Sequence, residues 1–501
     1  MKHLKYIFAG ALATALVFSS CSKDFLDTYP TDQVSEAEVG TTASDLMVAI
    51  NGIHRKMVSQ DRSNQGMGGE GGFIVAREAS GDDMTWPANS WHQGLLNWSA
   101  NTSGTNTYNT HVWRTYYEFI LNCNKILEKW EGIKDDVDQK MVKYTRGETL
   151  AIRAWAYFQL VQYYGHRYDA DKTNTQLGVP LKTSSELQYI ARNTVEEVYK
   201  FINDDLTEAA GLLEGYKPND INHYSQAVVY GLLARVALVQ QNYKAAGDYA
   251  AKAIELAEAS GHAIMNLEQA DPEQTPTVFP DISKETKDAM YAALTEDDQT
   301  VYFYSYYAFM SWNFNATVIR QGIKCISQST YDLMSETDVR RAWWDPTGKA
   351  AVPTSSYTQA PYQNRKFTAR STADAVGDVA FMRLTEMYLI ASEAYARADE
   401  TTTAKQYFAK FIAERDPEYT DLGNTGHAFA EEVMNHRRLE LWGEGFRWFD
   451  LKRLNLPVDR KGSNFNTTFC GFLYKAVDAD GWVYEIPESE TNYNKEIVKN
   501  Y

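Results

Sequence analysis

The chain has 501 residues, of which 44% are hydrophobic and 23% are charged, and its formal net charge is −17. The length allows a few domains or one large repeat-based body, and the composition is typical of a globular protein with a sizeable core. Because so acidic a surface repels polyanions, the charge argues against nucleic acid and strongly anionic glycans as partners.

The N-terminus has the pattern of a lipoprotein signal. Two early lysines precede an uncharged apolar run over residues 6–18, which is too short to span a bilayer but typical of a secretory signal core. Small residues stand directly before Cys21, as at the cleavage site of bacterial lipoproteins. We therefore predict a signal peptide over residues 1–20, lipidation of Cys21, and attachment to a membrane through acyl chains. An ordinary signal peptide cut near Ser20, with the cysteine incidental, is the alternative.

Apolar residues at helical spacing predict helices over residues 43–57, 110–133 and 141–164. Another helix is predicted to begin at Thr194, which can form a capping box with Glu197. The order of elements after the signal is therefore mostly helical.

Residues 225–259 and 382–414 carry small and large side chains at the spacing of a tetratricopeptide repeat. In such a unit, small residues let two antiparallel helices approach closely. We predict a mostly α fold, in which a scaffold of tetratricopeptide-type helical pairs carries large irregular, loop-rich insertions. Two unrelated helical hairpins are the alternative.

Two irregular segments interrupt this helical pattern, near residues 61–108 and 270–378. The first is rich in Gly, Ser and Asn and contains Trp86, Trp91 and Trp98, and the second contains six of the 13 prolines. The second also holds an aromatic block over residues 301–315. Long irregular segments on a helical scaffold are usually functional, so we place the ligand site there.

Motifs for cofactors and metals are weak or missing. Gly66, Gly68 and Gly71 spell GxGxxG, but no apolar strand precedes them and no amphipathic helix is predicted to follow, so a flexible loop is favoured. Residues 478–481 predict a turn, because the spacing of a calcium loop fails. We predict no cofactor, no metal and no catalytic residue. The three cysteines after Cys21 predict buried free thiols with at most one disulfide.

Glu440 and Glu444 are the best candidates for a catalytic pair, because residues at i and i+4 share one face of a helix. Five cationic side chains surround them in sequence, at Arg437, Arg438, Arg447, Lys452 and Arg453. Nearby cations lower the pKa of a carboxyl group, whereas a general acid needs a raised pKa. We therefore predict a structural charge network at this place and no glycosidase site.

Aromatic residues make up 13% of the chain and include 12 tryptophans, which suits sugar faces, protein interfaces or a packed core. Tryptophans in helical segments are predicted to be core, and Trp343 and Trp344 to serve packing. The ligand-binding candidates lie in the irregular segments; the aromatic ones are Trp86, Trp91, Trp98, Trp312, Tyr306 and Tyr307, and the polar ones are Arg77, Asp82, Asp83 and Asn101.

Taken together, seven segments resemble the SusD-like (RagB/SusD) nutrient-binding lipoproteins of the Bacteroidetes outer membrane. They are CSKDFLDTYP (Cys21–Pro30), VWRTYYEFILNCNKIL (Val112–Leu127), RGETLAIRAWAYFQLVQYYG (Arg146–Gly165), GVPL (Gly178–Leu181), RNTVEEVYKFINDDLTEA (Arg192–Ala209), HRRLELWGEGFRWFDLKRL (His436–Leu454) and YEIPESETNYN (Tyr484–Asn494). The resemblance spans essentially the whole mature chain, residues 21–501, and the order of the segments makes it specific.

This resemblance implies a glycan-binding protein that is not an enzyme. It also implies an outer-membrane position facing the cell exterior, where the protein delivers oligosaccharide to a SusC-like TonB-dependent transporter. No family motif assigns the binding residues, so the candidates above rest on local character. A tetratricopeptide scaffold without a small ligand, a peptide-binding uptake lipoprotein and a surface glycosidase remain the alternatives.

Overall fold

Long helices form the scaffold in the computed structural model, which describes residues 40–59, 68–87, 93–272, 277–295 and 305–501. They are α1 (Ala43–Lys56), α2 (Gly69–Ser80), α3 (Thr107–Trp130), α4 (Gln139–Tyr164), α5 (Val195–Leu212), α6 (Gln226–Val239), α7 (Tyr243–Ala259), α8 (Leu384–Arg397), α9 (Thr401–Ile412), α10 (Gly426–Glu440) and α11 (Arg447–Arg453). The predicted signal peptide and Cys21 lie outside the described residues.

Shorter elements fill the connections between these helices. Short α-helices cover Gln93–Leu96, Leu267–Ala270, Ile282–Glu285, Tyr306–Met310, Thr317–Arg320, Gln328–Tyr331, Thr467–Cys470 and Glu488–Thr491, and 3₁₀ turns cover Glu131–Ile133, Phe279–Asp281 and Val339–Trp343. The strands are β1 (Met84–Thr85), β2 (Ala289–Ala293), β3 (Cys325–Ile326), β4 (Trp344–Asp345), β5 (Gln363–Asn364), β6 (Val379–Arg383), β7 (Val458–Asp459) and β8 (Tyr474–Lys475).

Successive helices pack as neighbours, and the two predicted repeats form one stack. Helices α6 and α7 pack as a hairpin, α8 packs on both α7 and α9, and α4 packs between α3 and α5. Small residues permit the close contact between the repeats, since a Cβ added at Gly247 would lie 2.9 Å from the ring of Tyr395. The capping box of Thr194 and Glu197 begins α5 as predicted. The prediction of a mostly helical, paired-helix fold is confirmed.

In the described part of the chain, three small antiparallel sheets supplement the helices. The largest has the strand order β1-β3-β5-β4, and β2 pairs with β6 and β7 with β8. In the four-stranded sheet, Thr85 pairs with Cys325, and Cys325 pairs with Gln363. This sheet therefore joins the first irregular segment to the second.

Helix α2 is an unpredicted element inside the first irregular segment. It begins directly after Gly68, and Gly69 has the positive φ of 58° that glycine adopts readily. Gly71 lies within the helix, where an added Cβ would lie 3.2 Å from the Cβ of Tyr306. The flexible-loop interpretation of these glycines is thus wrong for Gly71, because tertiary packing outweighs the low helix propensity of glycine.

A buried charge network joins α10 to its surroundings, as predicted from Glu440 and Glu444. Glu440 accepts hydrogen bonds from Arg383 Nη1 at 3.0 Å and from Arg415 Nε at 2.8 Å, and Glu444 accepts from Lys366 Nζ at 2.8 Å. Burial alone would raise the pKa of Glu440, but the charges of Arg415 and Arg383 hold it well below its ordinary value. Ion pairing of both carboxylates is confirmed, but the partners come from outside the predicted cationic run. The expectation that the two carboxylates share one helix face is wrong, because α10 ends at Glu440.

Cys123, Cys325 and Cys470 are buried free thiols, as expected. Among the described helices, none combines the length and the apolar character needed to cross a bilayer.

Candidate ligand-binding site

Trp98 lies in the core, so the prediction that it faces a ligand is wrong. Only 1% of the residue is exposed, and its indole N–H donates to the carbonyl of Ser80 at 2.9 Å. The ring meets Phe472 and Trp482 edge-on, with centroid distances of 5.5 and 4.9 Å. These contacts place Trp98 in an aromatic cluster between the first irregular segment and the C-terminal region.

Trp86 is also buried, at 3% exposure, beside an unexpected cation. The Lys324 ammonium lies 5.9 Å from the centroid of the Trp86 ring, and it donates to the carbonyl of Val318 at 3.3 Å. Burial lowers the pKa of Lys324 to about 7. Trp86 therefore packs inside the protein and does not offer an open ring face to a ligand.

Tyr306 and Tyr307 are buried as well, which corrects their assignment to the ligand surface. The Tyr306 hydroxyl donates to the carbonyl of Gly443 at 2.8 Å. The ring of Tyr307 occupies the space beside Gly377, where an added Cβ would lie 2.6 Å from the ring. Both residues hold the aromatic block against the helical body.

The polar candidates are buried and bonded to other parts of the protein, although the side-chain oxygen of Asn101 has no hydrogen-bond partner among the described residues. Their partners are Glu70 for Arg77 at 2.6 Å, Arg447 for Asp82 at 2.7 Å, Arg438 for Asp83 at 2.6 Å and the carbonyl of Gly481 for Asn101 at 2.9 Å. Two of these partners, Arg438 and Arg447, belong to the cationic run that sequence analysis assigned to a charge network. Arg77, Asp82, Asp83 and Asn101 are therefore structural in the described protein.

Trp312 is the described tryptophan candidate that is only half-buried. Its indole N–H donates to the Thr368 hydroxyl at 2.8 Å, and its backbone N–H donates to the carbonyl of Phe367 at 3.2 Å. The guanidinium of Arg365 lies over the ring, 4.0 Å from its centroid. These contacts fix the orientation of the indole before any ligand arrives.

The four-stranded sheet links the segment of Arg365, which covers Trp312, to the segment of Lys324. The backbone N–H of Asn364 donates to the carbonyl of Lys324 at 2.9 Å, so Lys324 lies next to the residue that precedes Arg365. Trp91 and residues 296–304 lie outside the described residues. We define the Trp312 surface as Trp312, Arg365 and Thr368.

The chemistry of the Trp312 surface suits a ligand with an apolar face and hydroxyl groups. An indole offers a flat apolar area, and a guanidinium offers several N–H donors in a fixed plane. Burial lowers the pKa of Arg365, while the charge of Asp345 opposes that effect. Arg365 and Thr368 were missed by sequence analysis, because nothing in the local sequence ties them to Trp312.

A separate cationic cavity of about 350 Å³ lies by the C-terminal end of α4. Its lining includes His166, Arg167, Lys172, Lys452 and Trp482, with Asp169 as the acidic member. Asp169 pairs with Arg167 at 2.9 Å and with Lys172 at 3.0 Å. No local sequence pattern indicates this cavity, since its lining comes from distant segments.

Comparisons with known proteins show which family the chain belongs to. A family model described as starch-binding and associating with the outer membrane matches residues 24–238, and the SusD family model matches residues 247–501. The chain belongs to the SusD family.

Solved structures agree with this assignment. A protein from Bacteroides vulgatus ATCC 8482 described as sugar binding shares 25% identity, with 92% of this chain and 98% of that chain covered and a TM-score of 0.76. A SusD superfamily protein from Bacteroides thetaiotaomicron VPI-5482 shares 21% identity, with 92% and 100% covered and a TM-score of 0.78. The similarity to the Bacteroides thetaiotaomicron protein concerns the fold alone. A comparison with curated proteins finds no match.

Proposed function

We propose that this protein captures oligosaccharides at the cell surface through the Trp312 surface and delivers them to a SusC-like TonB-dependent transporter. The observation that carries the proposal is the half-buried residue Trp312, whose indole is fixed by Thr368 and Arg365 beside the sheet that joins the two irregular segments. Membership of a family described as starch-binding supports the ligand class.

Stacking supplies the affinity in this proposal, and hydrogen bonds supply the specificity. An indole covers the apolar face of a sugar ring, while the guanidinium of Arg365 donates to sugar hydroxyls at the rim. Trp91 belongs to the same irregular segment as Trp86, and we propose it as a second stacking residue.

A glycan array with the mature protein tests the proposed ligand class. We expect binding to neutral oligosaccharides, confirmed by calorimetry in solution. An array of peptides run in parallel addresses the alternative of peptide uptake. Binding to peptides with no binding to any glycan would contradict the proposal.

We also propose binding without hydrolysis. In the described part of the chain, the candidate carboxylates Glu440 and Glu444 are buried and bonded to arginine and lysine side chains, which keeps them ionised. An ionised carboxylate cannot donate the proton that glycosidic bond cleavage requires. Incubating the selected oligosaccharide with the protein should leave its length unchanged by chromatography.

The transporter partner is proposed to contact an exposed apolar area near the C-terminus. Leu187, Tyr189, Tyr493 and Val498 are 79%, 50%, 73% and 60% exposed. The side-chain amide of Asn494 donates to the carbonyl of Ile190 at 2.9 Å, which holds the two segments together. Exposed apolar patches commonly mark protein interfaces.

Affinity purification of the membrane-anchored protein from its native outer membrane tests this contact. We expect a TonB-dependent barrel to co-purify with the unaltered protein and to be depleted by a Tyr189→Asp, Tyr493→Asp double variant. An exposed Leu422→Asp variant, whose side chain lies elsewhere and is 72% exposed in the unaltered protein, serves as the control. Equal recovery of the barrel from all three proteins would place the contact elsewhere.

A further inference from the structure

Three side chains of the kinds that bind metals meet far from the Trp312 surface. His54 comes from α1, Glu148 from α4, and His223 from the segment before α6, and their ligand atoms all lie within 4.8 Å of one another. The side chains of His54 and Glu148 are 5% and 0% exposed, whereas that of His223 is 14% exposed. The cluster is thus buried on one side and reaches solvent on the other.

Glu148 depends on this cluster for its counter-charge. One of its oxygens, Oε1, lies 2.9 Å from His54 Nε2, 2.9 Å from His223 Nδ1 and 2.9 Å from the backbone nitrogen of Tyr224. Among the described residues, its ion-pair partners are the two histidines, with no lysine or arginine. Hydrogen bonds from these nitrogens can hold the buried carboxylate, and a bound cation would offset its charge directly.

The orientation of His54 suits a bound cation. The Tyr291 hydroxyl donates to Met57 Sδ at 2.9 Å, and its oxygen lies 2.8 Å from His54 Nδ1. Nε2 of His54 lies 2.9 Å from Glu148 Oε1. A metal ion would take the Nε2 lone pair, with the other ring nitrogen donating its N–H to Tyr291.

A proton and a metal ion could both supply this cation. A metal ion binds neutral imidazole nitrogens, and the cluster presents one nitrogen from each histidine within 4.8 Å of the carboxylate. A metal-bound histidine also commonly donates its other N–H to a fixed partner, and the Tyr291 oxygen lies 2.8 Å from His54 Nδ1.

We propose that His54, Glu148 and His223 bind a divalent transition-metal ion of the zinc class, with water as the fourth ligand on the exposed side of His223. Two imidazole nitrogens and one carboxylate oxygen are a donor set that zinc accepts, and hard cations such as calcium prefer oxygen ligands alone. The ion would connect α1, α4 and the start of α6. Because these helices contact one another at their sides, such an ion would stabilise the N-terminal part of the scaffold.

Calorimetric titration of the chelator-treated mature protein with Zn²⁺ tests the site, with Ca²⁺ as the comparison ion. We expect one Zn²⁺ per chain, a higher unfolding temperature with zinc than without, and no response to Ca²⁺. Titration with Co²⁺ should give visible absorption bands of a low-coordinate nitrogen and oxygen site. Failure to bind Zn²⁺ in a one-to-one ratio would overturn the proposal.

Variants separate this site from surface binding. His223→Ala and Glu148→Gln should each weaken Zn²⁺ binding by about 10- to 100-fold or more. His427→Ala removes a histidine whose side chain is 77% exposed and which lies outside the cluster, so it should leave Zn²⁺ binding unchanged. His223 is partly exposed, and its variant keeps the test usable where Glu148→Gln does not fold. Unchanged Zn²⁺ binding in His223→Ala would also overturn the proposal.

Discussion

The guanidinium of Arg365 lies across one face of the Trp312 indole, 4.0 Å from the ring centroid, while the indole N–H donates to Thr368. The contact fixes the ring at the place where strands from both irregular segments meet. Such a prearranged aromatic surface loses little conformational freedom when a ligand binds.

Trp312→Ala is expected to weaken oligosaccharide binding. An aromatic stacking contact contributes about 0.5–1.5 kcal/mol beyond buried area, which corresponds to a loss of roughly 2- to 13-fold in affinity. Trp130→Ala is a matched control, because Trp130 is also partly buried, donates its indole N–H to a carbonyl and lies under an arginine, Arg146. Calorimetry on the glycan selected by the array measures both variants, and equal affinities for the two would remove Trp312 from the site.

Salt dependence distinguishes the Trp312 surface from the cationic cavity. Stacking on a neutral sugar should change little between low and high ionic strength, since it involves no ion pair. An acidic ligand in the cavity near Lys172 should bind more weakly as salt rises. Strong salt dependence, together with loss of binding in Lys172→Gln, would move the ligand site to the cavity.

Glu440→Gln and Glu444→Gln are expected to destabilise the fold without changing any hydrolytic activity. Removing one partner of a buried ion pair costs about 3–5 kcal/mol, whereas the surface pair of Glu208 and Arg146 should contribute less than about 1 kcal/mol. Denaturant unfolding of these variants and of Glu208→Gln measures the difference. A glycan-cleaving activity that disappears in either buried variant would contradict the binding-only function.

The lowered pKa values of Glu440 and Glu444 predict how the free energy of unfolding depends on pH. Neighbouring cations lower the pKa of both groups in the folded state, so their contribution is present above the ordinary carboxyl pKa and is lost as the pH falls below it. We expect the unfolding free energy of the unaltered protein to drop more steeply below about pH 4.5 than that of Glu440→Gln.

Glu78→Gln is expected to stabilise the protein at pH 8. Burial, with the charge of Asp83 as a smaller cause, raises the pKa of Glu78 to about 8, and in the described protein its Oε2 has no hydrogen-bond partner. The folded state therefore keeps a proton that the unfolded state releases, and stability falls as the pH rises from the ordinary carboxyl range to about 8. Glutamine removes this penalty, which amounts to about 1.4 kcal/mol for each pH unit.

Unfolding at pH 5 and pH 8 checks this prediction. Glu78→Gln should be more stable than the unaltered protein at pH 8, and the gain should shrink at pH 5. Glu336→Gln is the control, because that side chain is 88% exposed and its replacement should give no pH-dependent gain. An equal gain in stability for Glu78→Gln at both pH values would show that the raised pKa of Glu78 is not the cause.

Cys21→Ser is expected to release the protein from the membrane fraction and leave its fold unchanged. Acyl chains provide the membrane affinity, at about 0.8 kcal/mol for each buried CH₂ group. Fractionation and immunoblotting measure the distribution, and circular dichroism checks the fold. A variant that still sediments fully with the outer membrane would contradict lipidation as the anchor.

Sequence determined the scaffold of this protein, because periodic apolar residues, small residues at helix contacts and a capping box are local properties. The stack of α6, α7, α8 and α9 and the start of α5 at Thr194 follow from such patterns. The cationic run beside Glu440 predicted that this carboxylate is ion-paired, but its partners Arg383 and Arg415 come from other segments. Helix α2 escaped detection, since its glycines are poor helix formers and only packing against Tyr306 explains them.

Tertiary structure decided which aromatic and polar side chains reach the surface. Trp98 and Trp312 occur in similar polar, irregular sequence, yet the first is enclosed by Phe472 and Trp482 and the second is only half-buried. The partners that cover a residue come from segments hundreds of positions away, so local character cannot indicate them. For the same reason, the meeting of His54, Glu148 and His223 is visible only when α1, α4 and α6 are packed together.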